Sequence, residues 1–221
     1  MRDNVAWDGI RDFAPIIFAT TEPNILVVHP LLPVKSVKEL IALAKARPGA
    51  LNYASIATGG PSHLAAELFK SMAGVNIVRI PYKGASPAAM DLVSGQVQLS
   101  FAAAASVAAP VKSGRLRALA ITILQPSALF PGVPTVAASG LPGYEAGTVT
   151  GMFAPAKTPA AIINRLNREM AQALNRPEVK EKFSGAGQEI VGGSPDQFAA
   201  AIKADATRMG KVIKDAGIRD E

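Results

Sequence analysis

Apolar runs of strand length and apolar stripes of helical period alternate along nearly the whole chain, and each stripe opens on a capping residue and closes near Gly or Pro. A chain patterned this way folds as α/β, with helices covering the faces of its strands. Phe13 to Ala19 and Ile25 to His29 read as two buried strands, with Pro23 and Pro30 bounding the second. Ser36 and Glu39 form a capping box ahead of Leu40, Ile41, Leu43 and Ala44, and Pro48-Gly49 stops that helix. Leu51 to Ala54 is a short strand, and Pro61 opens a helix whose Leu64, Leu68 and Met72 share one face until Gly74. Asn76 to Ile80 is the next strand, and Ser86-Pro87 reads as N-cap and first residue of a helix closed by Gly95. Val97 to Phe101 follows as strand, Ala102 to Ser113 as helix despite Pro110, and Leu116 to Thr122 as strand. After a Pro- and Gly-rich loop to Tyr144, Thr148 to Ala154 is a strand. Thr158-Pro159 then opens a long helix that ends before Pro177, and Ser194-Pro195-Asp196-Gln197 caps a final helix closed by Gly217.

Composition removes several function classes. The 221 residues suffice for one large domain or two modest ones, and 49% hydrophobic with 18% charged residues is the profile of an ordered chain. With no cysteine, disulfides, thiol nucleophiles and Cys-based metal sites are excluded. A formal charge of +6 raises nucleic acid, but Lys and Arg are dispersed and only three Tyr and one Trp accompany them. Nucleic-acid binding is therefore not expected, and the basic balance suits anion capture. The opening residues show no charged segment followed by an apolar stretch, so no signal peptide is read there, and no apolar run reaches the roughly 18 residues of a membrane span.

The most informative segment runs from Asn52 to His63 and places Ser55, Ala57, Thr58, Gly59, Gly60, Ser62 and His63 between a strand end and a helix start. A helix's first turn offers unpaired N–H groups and the positive end of the macrodipole, so a carboxylate there meets donors already aimed at it. Glycine allows close backbone approach, and Ser and Thr add hydroxyl donors. The same pattern also describes an ordinary capped βα loop. Ser62, His63 and Asp91 invite comparison with a hydrolase, but no G-x-S-x-G elbow is present, and adjacent residues in a helical turn point apart. His29 reads as a packed or surface residue, Asp91 as a solvent-facing helix side chain and Lys83 as an exposed turn residue. No metal site or cofactor is expected, since the two histidines lack acidic partners at ligand spacing.

Ordered strings along the chain carry a resemblance. Arg11-Asp12-Phe13-Ala14-Pro15, Pro23 to Pro30, Ser36-Val37-Lys38-Glu39-Leu40, Leu51-Asn52-Tyr53-Ala54-Ser55, Ser62-His63-Leu64-Ala65, Pro81-Tyr82-Lys83-Gly84, Gly114 to Ala120, Val133-Pro134-Thr135-Val136 and Gly140 to Tyr144 resemble motifs of the solute receptors of tripartite tricarboxylate transporters, the Bug or TctC family. The resemblance implies a non-enzymatic binding protein like periplasmic binding proteins of type II, with two lobes, a mostly parallel sheet in each, closing over a small di- or tricarboxylate. It implies delivery to a membrane permease, a periplasmic location, and lobes of residues 1–29 with 148–221 and of residues 30–147. Thr148 and Thr150, at the crossover, join the loop residues as implied ligand contacts, with His63 as donor or orienter.

Two departures follow from the same comparison. Family members begin with a signal peptide and a first strand leading into a ligand-contacting loop. Neither is seen here, so the first lobe is expected to be incomplete and to expose apolar surface. Where the family commonly has Asp or Asn after the Phe matched by Phe101, this chain has Ala102 and Ala103. The alternatives left open are a ligand-binding partner of a signalling system and a small hydrolase.

Overall fold

The computed structural model of the chain describes residues 7–219. The chain divides into two compact units, a larger one of residues 23–147 with 212–221 and a smaller one of residues 1–22 with 148–211. The last residues of the C-terminal helix belong to the larger unit, and the first crossing falls at Glu22/Pro23.

In place of the two expected N-terminal strands there is one, β1 (Phe13–Val28). Pro23, which argues for a break, falls where the strand changes partners. Thr21 pairs with Glu189 on one side of it and Asn24 with Ala103 on the other, so the missing N–H costs neither ladder a bond.

In the larger unit the strands β2 (Asn52–Ser55), β3 (Val78–Pro81), β4 (Leu99–Ala103) and β5 (Arg117–Ile121) join β1 in the order β3-β2-β4-β1-β5. β2 is parallel to both neighbours, with Tyr53 opposite Arg79 on one side and Leu99 on the other. β1 alone runs antiparallel, between β4 and β5. Both faces are covered, which explains strands of nearly continuous apolar residues. Ile25, Val27, Leu92, Val97 and Val107 form one buried cluster. Elsewhere Phe69 packs against Phe101 and Tyr144 at ring separations of 5.4 and 6.4 Å, and the buried Tyr144 hydroxyl donates to the Ala65 carbonyl at 2.8 Å.

Helix starts follow local chemistry with small shifts. In α1 (Val37–Ala46) Ser36 Oγ accepts the Glu39 N–H at 3.2 Å, while the Glu39 carboxylate accepts the N–H of Lys35 at 2.7 Å. α2 (Pro61–Ala73) starts at the expected proline and ends at Gly74 in the left-handed region. α3 (Ala85–Ser94) begins earlier than Ser86-Pro87 suggests, with Gly84 as its cap. Pro87 then occupies the third helical position, where the missing N–H would have no intrahelical partner anyway. β4 continues through Ala103, so α4 (Ala104–Lys112) begins later than expected, and its Pro110 lies in the last turn.

The smaller unit comprises the first part of β1, β6 (Gly147–Pro155), α5 (Ala160–Leu174), α6 (Pro177–Gly185), β7 (Glu189–Gly193) and most of α7 (Pro195–Asp215). Its described register is antiparallel, β1 with β7 from Phe18 opposite Gly193 to Thr21 opposite Glu189. Asn167 ties α5 to both strands, donating from Nδ2 to the carbonyls of Ile16 and Gly193 at 3.0 Å each. The Ser194–Gln197 capping box forms in both directions, at 3.2 and 2.7 Å. Gly151 leaves no room for a side chain, since a Cβ there would lie 2.3 Å from both the Ile17 carbonyl oxygen and the Phe198 ring. Large apolar side chains stay in water here, among them Trp7 at 56%, Met152 at 52% and Phe153 at 41% exposure.

Candidate functional site

Each of β2, β3 and β4 hands the chain to a helix at its carboxyl end, and the starts of α2, α3 and α4 meet around one concavity. In open α/β sheets this is the edge where ligands bind. Ser55 and Ile56 from the end of β2, Ser62 from α2, Ala85 from α3, and Ala103 and Ser106 at the start of α4 line it. Much of the rest of the wall is alanine, with Leu92 and Val107 beside it.

None of these three helices has a side chain capping its N-terminus, the caps being Gly60, Gly84 and Ala103, whereas α1 is capped by Ser36. A missing cap is not distinctive alone, as α5 and α6 also lack one. Convergence of three is distinctive, because their dipoles add at one place. The enclosed space is about 40 Å³. At roughly 10–15 Å³ per water, it takes a few waters or one carboxylate end of an acid.

The hydroxyls of the loop are arranged as donors. Ser55 Oγ accepts from Arg79 Nε at 2.6 Å, Thr58 Oγ1 accepts from Arg79 Nη1 at 3.1 Å, and Ser62 Oγ accepts the Ile56 N–H at 3.3 Å. A hydroxyl whose lone pair is taken by a protein donor keeps its own hydrogen for something else. Ser55 and Ser62 face the concavity, while Ala57 and Thr58 are exposed at the loop tip and Gly59 and Gly60 are half-buried behind it. Gly59 has φ +71°, a left-handed conformation that glycine takes without strain.

His63 does not reach the concavity. It is buried, and its Nδ1 accepts the Gly59 N–H at 3.0 Å, which fixes the neutral tautomer and makes the ring a latch for the loop. Its Nε2 faces the Glu67 carboxylate at 3.8 Å; that carboxylate also accepts from the Tyr53 hydroxyl and Lys70 Nζ, both at 2.7 Å. Burial, then the cations Arg79 and Lys70, hold the His63 pKa below its usual value against the pull of Glu67. Burial and the bond to Glu67 push the Tyr53 hydroxyl well up.

Thr148 is half-buried and Thr150 exposed on β6, and neither lines the concavity; Thr150 borders a separate one with Val149, Phe153 and Phe198. Lys83 is exposed. Asp91 does not simply face solvent, since it accepts from the Tyr82 hydroxyl at 2.8 Å; burial and that bond raise the Tyr82 pKa to about 12. The elements sequence reasoning missed are Arg79 and the rim of Ala85, Ser100 and Ser106. An arginine between the apolar Val78 and Ile80 in a short strand was the one available signal for Arg79. Ser62 and His63 make no bond to each other, because each is engaged with the loop backbone. No group of His, Asp and Glu able to hold a metal occurs among the described residues.

A sequence profile of the tripartite tricarboxylate transporter family receptor, TctC, matches residues 1–218. The chain belongs to that family. It is 36% identical over 216 residues to protein BugT of Bordetella pertussis, covering 98% of this chain and 66% of BugT. Among solved TctC-like structures, R. palustris Rpa4515 with adipate superposes with a TM-score of 0.80 at 37% identity, covering 99% of this chain and 73% of that one. MatC from Rhodopseudomonas palustris, with bound malate, gives 0.76 at 26% identity, covering 95% and 72%. The chain spans 62% to 66% of the length of three curated relatives that it matches. The family is one of solute receptors, not enzymes.

Proposed function

We propose that the chain is a receptor for a small organic acid, a di- or tricarboxylate, and that one carboxylate of that acid sits where α2, α3 and α4 begin. The observation that carries this reading is the convergence of three helix starts without side-chain caps on a concavity that also receives the Ser55 and Ser62 hydroxyls. Charge-assisted hydrogen bonds contribute about 1.5–3 kcal/mol each, so three or four such donors support micromolar binding. Relatives solved with adipate and with malate support the ligand class. Ala102 and Ala103 supply no polar side chain, so discrimination beyond the bound carboxylate falls to other groups. Delivery to a membrane permease from the periplasm follows from the family reading. No helix among the described residues is long and apolar enough to cross a membrane, consistent with a protein that meets its permease from outside the bilayer.

A thermal melt against adipate, malate and their diamides tests the proposal. An acid that raises the midpoint at a hundredfold excess over its Kd adds about 2.7 kcal/mol to stability, and the diamides leave the melt unchanged. Equal shifts with acids and diamides, or none with any acid of a wider panel, would remove the carboxylate reading.

A further inference from the structure

Arg79 is a cation on a short strand with no carboxylate in ion-pair range among the described residues. Its guanidinium donates from Nε to Ser55 Oγ at 2.6 Å and from Nη1 to Thr58 Oγ1 at 3.1 Å, and its Nη2 is buried without a partner. An unpaired buried donor on a charged group is costly, so its retention calls for a role. The nearest carboxylate network, centred on Glu67, is already occupied by Tyr53 and Lys70.

We propose that Arg79 is the positioning residue of the anion site: its planar fork ties the start of the Ser55–Gly60 loop to its tip and leaves the Ser55 hydroxyl as a donor toward the ligand. Two acceptors at different points of the loop are held by two nitrogens of one rigid plane, which a lysine ammonium on a flexible stem does not reproduce. Because Arg79 only donates, Ser55 Oγ meets it as an acceptor and its own hydrogen is left for an anion in the concavity. The positive charge behind the loop adds to the three helix dipoles without touching the concavity, whose lining does not include Arg79.

The loop-fixing part of this inference stands on the hydrogen bonds alone, and its consequence for binding rests on the receptor reading above. Hydrogen exchange of the ligand-free chain addresses the first part. Arg79→Gln speeds exchange at the Ile56, Gly59 and Gly60 amides about tenfold while α1 keeps its protection. Unchanged loop exchange overturns the inference, whatever any ligand does. Thr58→Val, at an exposed position, is the second variant should Arg79→Gln fold poorly; it releases only one contact and speeds exchange near Thr58, and no change there also overturns the inference. Calorimetric titration with adipate addresses the second part. Arg79→Gln weakens binding at least tenfold, and Arg79→Lys, which keeps the charge, recovers only a minor share of that loss. Full recovery by lysine would show that charge alone matters and would overturn the positioning role. If the unsubstituted chain takes up neither adipate nor any other acid, the receptor reading fails and the exchange result still decides what Arg79 does.

Discussion

The two units of the chain use similar residues to opposite effect. In the larger one, three strands in parallel each deliver the chain to a helix at the same edge, so glycine, serine and alanine at the junctions gather around one concavity. In the smaller one α6 follows α5 directly and β7 pairs antiparallel with β1, so the strand-to-helix junctions are not repeated side by side, and the prominent surface is aromatic and aliphatic. Thr148, Thr150 and Gly151 are no less polar or small than Ser55, Thr58 and Gly59. Repetition of a connection, and not composition, is what collects helix starts around one concavity.

The sharpest way to break this contrast is at Gly151. Gly151→Ala drives a methyl group into the Ile17 carbonyl oxygen and the Phe198 ring, and costs about 3 kcal/mol or more. Hydrogen exchange should show the loss at Ile17, Phe18 and β7 while α2 and β4 stay protected; equal loss in both units would mean that they unfold as one body. A smaller effect separates capped from uncapped helices. Ser36→Ala and Ser194→Ala each cost about 1 kcal/mol in denaturant unfolding, as removal of a capping hydroxyl does. The first should destabilise the larger unit and the second the smaller.

The most gradual effect is the response to acid. His63 has its folded-state pKa lowered, by burial first, so the unfolded chain takes up its proton at a higher pH than the folded one. Its contribution to stability is complete above about pH 6.5 and is lost as pH falls below that toward the folded-state value. Protonation in the folded state comes only as pH falls through that lower value, and there it removes the acceptor of the Gly59 N–H and loosens the loop. Glu67, Lys70, Arg79 and Tyr53 surround the ring and do not supply a substitute acceptor at Nδ1. Melting from pH 7.5 to 5, compared with His63→Gln, checks this, and a slope unchanged by the substitution would assign the acid response elsewhere.

What was legible in the sequence is what has a local cause. Pro61 and Gly74 bound α2 as expected, and Ser36 and Ser194 cap their helices, because proline, glycine and serine act within a few residues of themselves. The loop between Ser55 and Gly60 was legible for the same reason. β1 was not, because Pro23 signals a break that only a change of pairing partner relieves. Arg79 was not, because its partners lie 24 and 21 residues away and meet it only through the parallel pairing of β2 with β3. The bond between the His63 ring and the Gly59 N–H was not legible either. The spacing of four between His63 and Gly59 decides that the ring turns back to the backbone, while Ser62 beside it faces the concavity.

The alanine wall has a consequence for how such a receptor changes hands between nutrients. Every alanine codon is a single base change from serine, threonine, valine and either aspartate or glutamate. A cup walled by Ala85, Ala88, Ala89, Ala102 and Ala103 therefore sits within one mutational step of many differently shaped and differently charged cups, while the backbone of the helix starts around it is not altered by those steps.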